Sequence, residues 1–143
     1  MNLSKNVKLH LVQDGLADGA SESDSDSVDM SGFDGVVFVG IIGAQADLAT
    51  AAMQAEQSDD DTTFFPLAGA VVTSPVNSDD KFLVLDVYRP LKRYVRTELI
   101  RAGTGNTTWG GTLAIQYMGS KKPTTHEALK LAAEVLSISP DEV

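Results

Sequence analysis

The stretch GVVFVGIIG, residues 35–43, limits what this chain can fold into more than any other. It is rich in β-branched side chains and closed at both ends by glycine. A membrane helix needs about 20 apolar residues, so this shorter run reads as a central strand covered on both faces. KFLVLDVY (81–88) is a second run of the same kind, with Leu83, Leu85 and Val87 on one face and Phe82, Val84 and Tyr88 on the other. Asp86 is its lone charge, and Pro90 ends it because proline cannot donate to a ladder.

The remaining pattern is strand, turn, strand. Val7, Leu9 and Leu11 alternate with Lys8 and His10, the period of a half-buried strand. SVDM (27–30) is a short strand before the turn Gly32–Gly35. A short helical or irregular turn at 46–50 precedes a strand at 52–57, and two short strands at 62–69 and 70–73 place Pro66 at an edge or bulge. TLAIQYMG (112–119) closes the β region. Residues 93–101, RYVRTELIR, fit either class: a helix aligns Arg89, Arg93 and Arg96 on one face, whereas a strand divides the arginines between faces. Tyr, Val, Thr and Ile favour the strand. Ala128, Leu129, Ala132, Ala133 and Leu136 form a helical stripe in the tail, so 125–136 is expected to be an amphipathic helix. The fold expected is therefore all-β and mainly antiparallel, a sandwich or jelly roll of eight or nine short strands over 1–122, with a C-terminal, partly helical tail at 123–143. No cysteine is present, which removes disulfides, thiolate catalysis and Cys-ligated zinc.

Charge is divided unevenly. The chain carries a net −9, yet residues 1–80 hold fourteen acids and two bases while residues 81–143 hold six acids and nine bases. The overall balance argues against nucleic acid, because phosphate contacts need a basic surface. Five of the eleven bases, Arg89, Lys92, Arg93, Arg96 and Arg101, lie within LDVYRPLKRYVRTELIR (85–101). They can pair with acids of the same chain or form a protein interface, since the arginine fork binds carboxylates bidentately. Lys121 and Lys122 join them as candidate interface residues, as does Trp109 in its Gly-Thr loop, where an indole could instead stack on a carbohydrate.

The acidic, serine-rich stretch 14–27 is expected to be a solvated loop. Its carboxylates do not fit a calcium loop, because Val28 and Met30 stand where ligands and a glycine are needed. His10 and His126 lack a partnered nucleophile, and no GxSxG, HExxH or phosphate-binding loop occurs. Neither an enzyme nor a metal or cofactor site is expected. MNLSKNVKLH lacks the apolar core of a signal peptide, so a soluble, cytoplasmically made protein is expected.

Taken as a set, VDMSGFDGVVFVG (28–40), AEQSDDDTTFFPLAGA (55–70), LDVYRPLKRYVR (85–96) and GGTLAIQY with KKPTTHEA (110–128) resemble a family of small tailed-bacteriophage virion proteins encoded with the head genes. The resemblance implies a capsid decoration, or cement, protein: a jelly-roll-like β-sandwich on the capsid exterior that ties neighbouring major capsid subunits together. It implies the major capsid protein as partner and self-association as a homodimer or homotrimer, without a membrane. Similar proteins also serve as head–tail connectors or tail components, and a carbohydrate- or host-surface-binding module is the alternative of another class.

Overall fold

The computed structural model describes residues 2–136. After a 3-10 turn at Leu3–Lys5 come ten strands: β1 (Lys8–Gln13), β2 (Leu16–Gly19), β3 (Ser23–Asp24), β4 (Val28–Asp29), β5 (Gly35–Gln45), β6 (Ala49–Ser58), β7 (Phe65–Thr73), β8 (Phe82–Tyr88), β9 (Tyr94–Gly103) and β10 (Thr107–Tyr117). All pair antiparallel, in two five-stranded sheets. Sheet A runs β1-β10-β5-β8, with β2 also on β10; sheet B runs β3-β9-β6-β7, with β4 also on β9. The pairs are nested, β1 with β10, β4 with β9, β5 with β8 and β6 with β7, as when one long hairpin is rolled into a sandwich.

Alternation decides which side chains fill the sandwich. From sheet A, Val36, Phe38, Ile42, Leu83, Leu85 and Val87 point inward; Met53, Ala55, Val95 and Leu99 face them from sheet B. Trp109 is the largest fully buried side chain. Its indole Nε1 donates to Thr112 Oγ1 at 3.0 Å, and that hydroxyl donates to Gln13 Oε1 at 2.9 Å, so the polar edge is satisfied inside the core. The ring lies flush on Gly40: a Cβ there would come within 2.4 Å of the indole and 2.6 Å of the Met53 sulfur. The glycine inside the apolar run thus leaves the space that the indole occupies.

Several expectations hold and others need correction. RYVRTELIR is a strand, with Val95, Thr97 and Leu99 inward. Pro66 lies on an edge strand, but 62–73 makes one strand from Phe65, interrupted near Gly69 (φ +76°), where the register to β6 shifts. The β6 strand begins at Ala49, directly after a turn in which Leu48 takes φ +63°. The run 35–43 is central in its sheet but covered on one face only, since Ile41 is 49% exposed.

The acidic stretch is not a free loop. β2 extends the β1 edge along β10, then the chain crosses to sheet B, where β3 and β4 pair with β9. Asp26 N–H donates to Val12 O of sheet A at 2.7 Å and Ser25 N–H to Thr97 O of sheet B at 2.8 Å, so adjacent residues of this strap bond to opposite sheets.

No helix forms over 125–136. Thr124 N–H donates to Lys5 O and Glu127 N–H to Leu9 O, while Leu9 N–H donates to His126 Nδ1 at 3.1 Å, so the chain docks by its backbone on the open edge of β1. The expected stripe finds nothing to pack on: Leu129 is 92% exposed. A helix this short is marginal in water unless its apolar face is buried, and edge pairing wins here. The part of that tail at 137–143 lies outside the described residues.

Filling the indole's space should be costly. Gly40→Ala is expected to reduce the unfolding free energy by about 1–3 kcal/mol in urea denaturation, the usual range for overpacking a core. An unchanged midpoint would mean that the indole does not rest on residue 40.

Candidate protein interface

Each base of the 85–101 segment is drawn to an acid, a carbonyl or an aromatic ring of its own chain. Arg93 forks onto Asp29 of β4, Nε to Oδ1 at 3.0 Å and Nη2 to Oδ2 at 2.8 Å. Arg96, outward on β9, joins Glu56 of β6 at 2.8 Å and Asp24 of β3 at 3.0 Å, and its guanidinium lies 4.1 Å over the Phe64 ring. Arg101 donates to three backbone carbonyls, Ser21 O, Ala17 O and Thr107 O, at 2.9–3.0 Å. Lys92 bridges to Asp59 at 3.0 Å above the Phe65 ring. Arg89, just past β8 at φ +51°, stacks on Tyr88 at 5.1 Å, and among the described residues it forms no ion pair. Arg93, Arg96 and Arg101 therefore fasten the acidic strap to β9.

The electrostatics follow from this packing. Arg93 holds the Asp29 carboxyl below its usual range, chiefly by hydrogen bonding. Glu98 sits beside Arg96 on the outer face of sheet B, and burial, then Glu56, Glu22 and Asp24, push its carboxyl up. Asp60 in the β6–β7 turn is pulled down to about 2 by the N–H groups of Thr63 and Thr62 and the Ser58 hydroxyl. No group of three or more His, Cys, Asp or Glu among the described residues has metal-binding geometry.

The other candidates separate. Lys121 and Lys122 are exposed just beyond β10. Trp109 is 1% exposed, so it presents no stacking surface, and the role expected of it at an interface or on a carbohydrate has no access to a partner.

Sheet A supplies the surface that residue-by-residue reading missed. Its outer face is apolar across the register: Phe82 beside Ile41, and Val84 beside Val39, which lies beside Leu113 and then Leu11. Tyr117 lies across Gly35 and donates to Asp86 Oδ1 at 2.6 Å; burial and that carboxylate push its phenol up. Leu131 of the tail lines a shallow hollow with Leu9, Leu11 and Leu113, and the β5–β8 half is open, with Phe82 66% exposed. The β8–β9 loop carries Leu91 at 93% exposure, and with Met30, Phe33 and its neighbours at 89–93 it lines a hollow of about 530 Å³. The signal was present as the alternation within KFLVLDVY; what strand spacing could not tell was that Phe82, Val84 and Tyr88 of its outer row are exposed.

The pH dependence follows from two opposite shifts. Asp60, depressed, lends stability above its unfolded value near 3.8 that is lost as the pH falls toward 2. Glu98, raised, favours the protonated folded form, so stability is lost as the pH rises from 4.5 through its folded value. Glu98→Gln is expected to raise the thermal midpoint at pH 7 by about 1–3 °C, a modest gain because the carboxyl is partly solvated. That gain should vanish below pH 4.5, as calorimetry across the pH range can check.

No protein-family model and no curated protein matches this chain. The fold is similar to a solved structure described as the crystal structure of PBSX exported protein XepA, with a TM-score of 0.55 and 16% identity over 100% of this chain. The chain spans 44% of the length of that one. At this identity the likeness lies in the fold: two antiparallel sheets packed as a sandwich.

Proposed function

We propose that this chain is a structural protein of a bacteriophage virion that decorates the head and cements it by binding the major capsid protein on the assembled shell. The observation that carries this reading is the open apolar half of sheet A's outer face, together with the exposed Leu91 in the loop that follows β8. An apolar surface of this kind on a strand-built body suits contact with another protein. The fold likeness to a protein of PBSX, a phage-like element, supports a viral setting. The antiparallel two-sheet sandwich with nested strand pairs supports the jelly-roll-like architecture that the sequence resemblance implies.

A cement protein needs no catalytic centre. It binds the assembled lattice and not the free subunit, which stabilises the lattice by mass action, and repeated copies multiply weak contacts through avidity. In this reading the chain is made in the host cytoplasm and ends on the capsid exterior, with Arg89, Lys121 and Lys122 free to meet carboxylates of the capsid subunit.

The test is to add purified protein to expanded heads that lack it. Binding with a rise in the heads' disruption temperature is expected, and Leu91→Asp should weaken binding about tenfold or more, the worth of one buried leucine, without changing the chain's own thermal unfolding. Absence from heads with incorporation into tails would contradict the proposal.

A further inference from the structure

The four outer edges of the sandwich are not treated alike. β3 and β4, two residues each, are too short to template another strand. β7 carries Pro66 and the kink at Gly69. The β1 edge is covered by the tail through Thr124, His126 and Glu127. Among the described residues, β8 is the edge with no proline, bulge or covering segment: its seven residues pair in regular register with β5, and no described strand pairs with its other side.

The bonding parity of β8 fixes what its free side offers. Lys81 O accepts from Ile42 N–H and Arg89 N–H donates to Asp34 O, so odd-numbered residues bond to β5. In an antiparallel strand the even-numbered residues then turn outward the N–H and C=O of Phe82, Val84, Asp86 and Tyr88. Charge is polarised along the same strand: Asp79 and Asp80 precede it, and Arg89, which forms no ion pair among the described residues, follows it.

We propose that β8 pairs antiparallel with β8 of a second copy about a two-fold axis, joining two A sheets into one continuous sheet. A two-fold pairing sets the acidic start of each strand beside the basic end of the other, which a parallel addition cannot do. Like charges choose the register. Centring on Asp86 sets two carboxylates opposite each other, and centring on Leu85 sets Lys81 opposite Arg89. Centring on Val84 sets Asp79 opposite Arg89 and valine opposite valine. The join runs in the plane of the sheet, so it leaves the outer face free and doubles its width; it does not depend on head binding and is measured without heads.

Sedimentation of the full chain is expected to give twice the chain mass at concentrations up to the order of 100 µM. Val84→Lys, at a position 48% exposed, should keep the native far-UV spectrum and sediment as a single chain. Because the chain has no cysteine, Val84→Cys should cross-link to a dimer under mild oxidant, whereas Val71→Cys on β7 should not. A wild-type protein that stays monomeric, a dimer that survives Val84→Lys, or cross-linking through residue 71 instead would each overturn the proposal.

Discussion

The structure depends on the strap between β2 and β4 and on the arginines that hold it. Neither sheet closes by itself: β10 and β9 would each present a bare edge where β2, β3 and β4 now pair. The strap's backbone bonds to Val12 on one side and Thr97 on the other, but its sequence is mostly serine, aspartate and glycine and offers little apolar surface. Hydrophobic burial is therefore weak along it. Arg93 and Arg96 reach Asp29 and Asp24, and Arg101 gathers the carbonyls of Ala17 and Ser21. Exposed ion pairs are each worth little, about 0–1 kcal/mol, but several that share one strap act together with the backbone bonds they flank. The acidic N-terminal half and the basic segment are thus two sides of one contact.

The two sheets present opposite exteriors as a consequence. Sheet B turns outward Arg96, Glu98, Gln54 and Glu56, a polar surface whose charges are largely occupied with each other. Sheet A turns outward Phe82, Val84 and Ile41, which are exposed, beside the half-buried Val39. With Arg93, Arg96 and Arg101 committed to the strap, the larger surface left for recognition is apolar and lies on the opposite sheet from the arginines of β9. Such an exterior fits a protein that contacts another protein better than one that contacts phosphate.

Much of the fold was legible. Alternation located β1, β8, β9 and β10, and glycine-bounded apolar content located β5, because inward and outward rows are written directly into residue order. What failed was local reading where tertiary pairing decides. Residues 14–27 looked like a loop because β2 and β3 are only four and two residues long and gain their order from β10 and β9, distant in sequence, whereas the short strand read at 27–30 is β4. The tail looked like a helix because Ala128, Leu129, Ala132 and Ala133 have helical spacing, a pattern that stabilises only if something covers it. Of the interface candidates, Arg93, Arg96, Arg101 and Lys92 were legible as basic residues but not as already partnered. Trp109 looked accessible in a glycine-rich loop, whereas β10 continues through it and turns the indole inward.

Amide hydrogen exchange on a variant with Arg93, Arg96 and Arg101 all changed to alanine tests this account most directly. The amides of Ser25, Asp26 and Met30, bonded to Thr97, Val12 and Arg93 carbonyls, should lose protection together while those of Phe38 and Ala114 in sheet A keep theirs. Unchanged protection across 23–30 would contradict the claim that the basic segment exists to hold the strap.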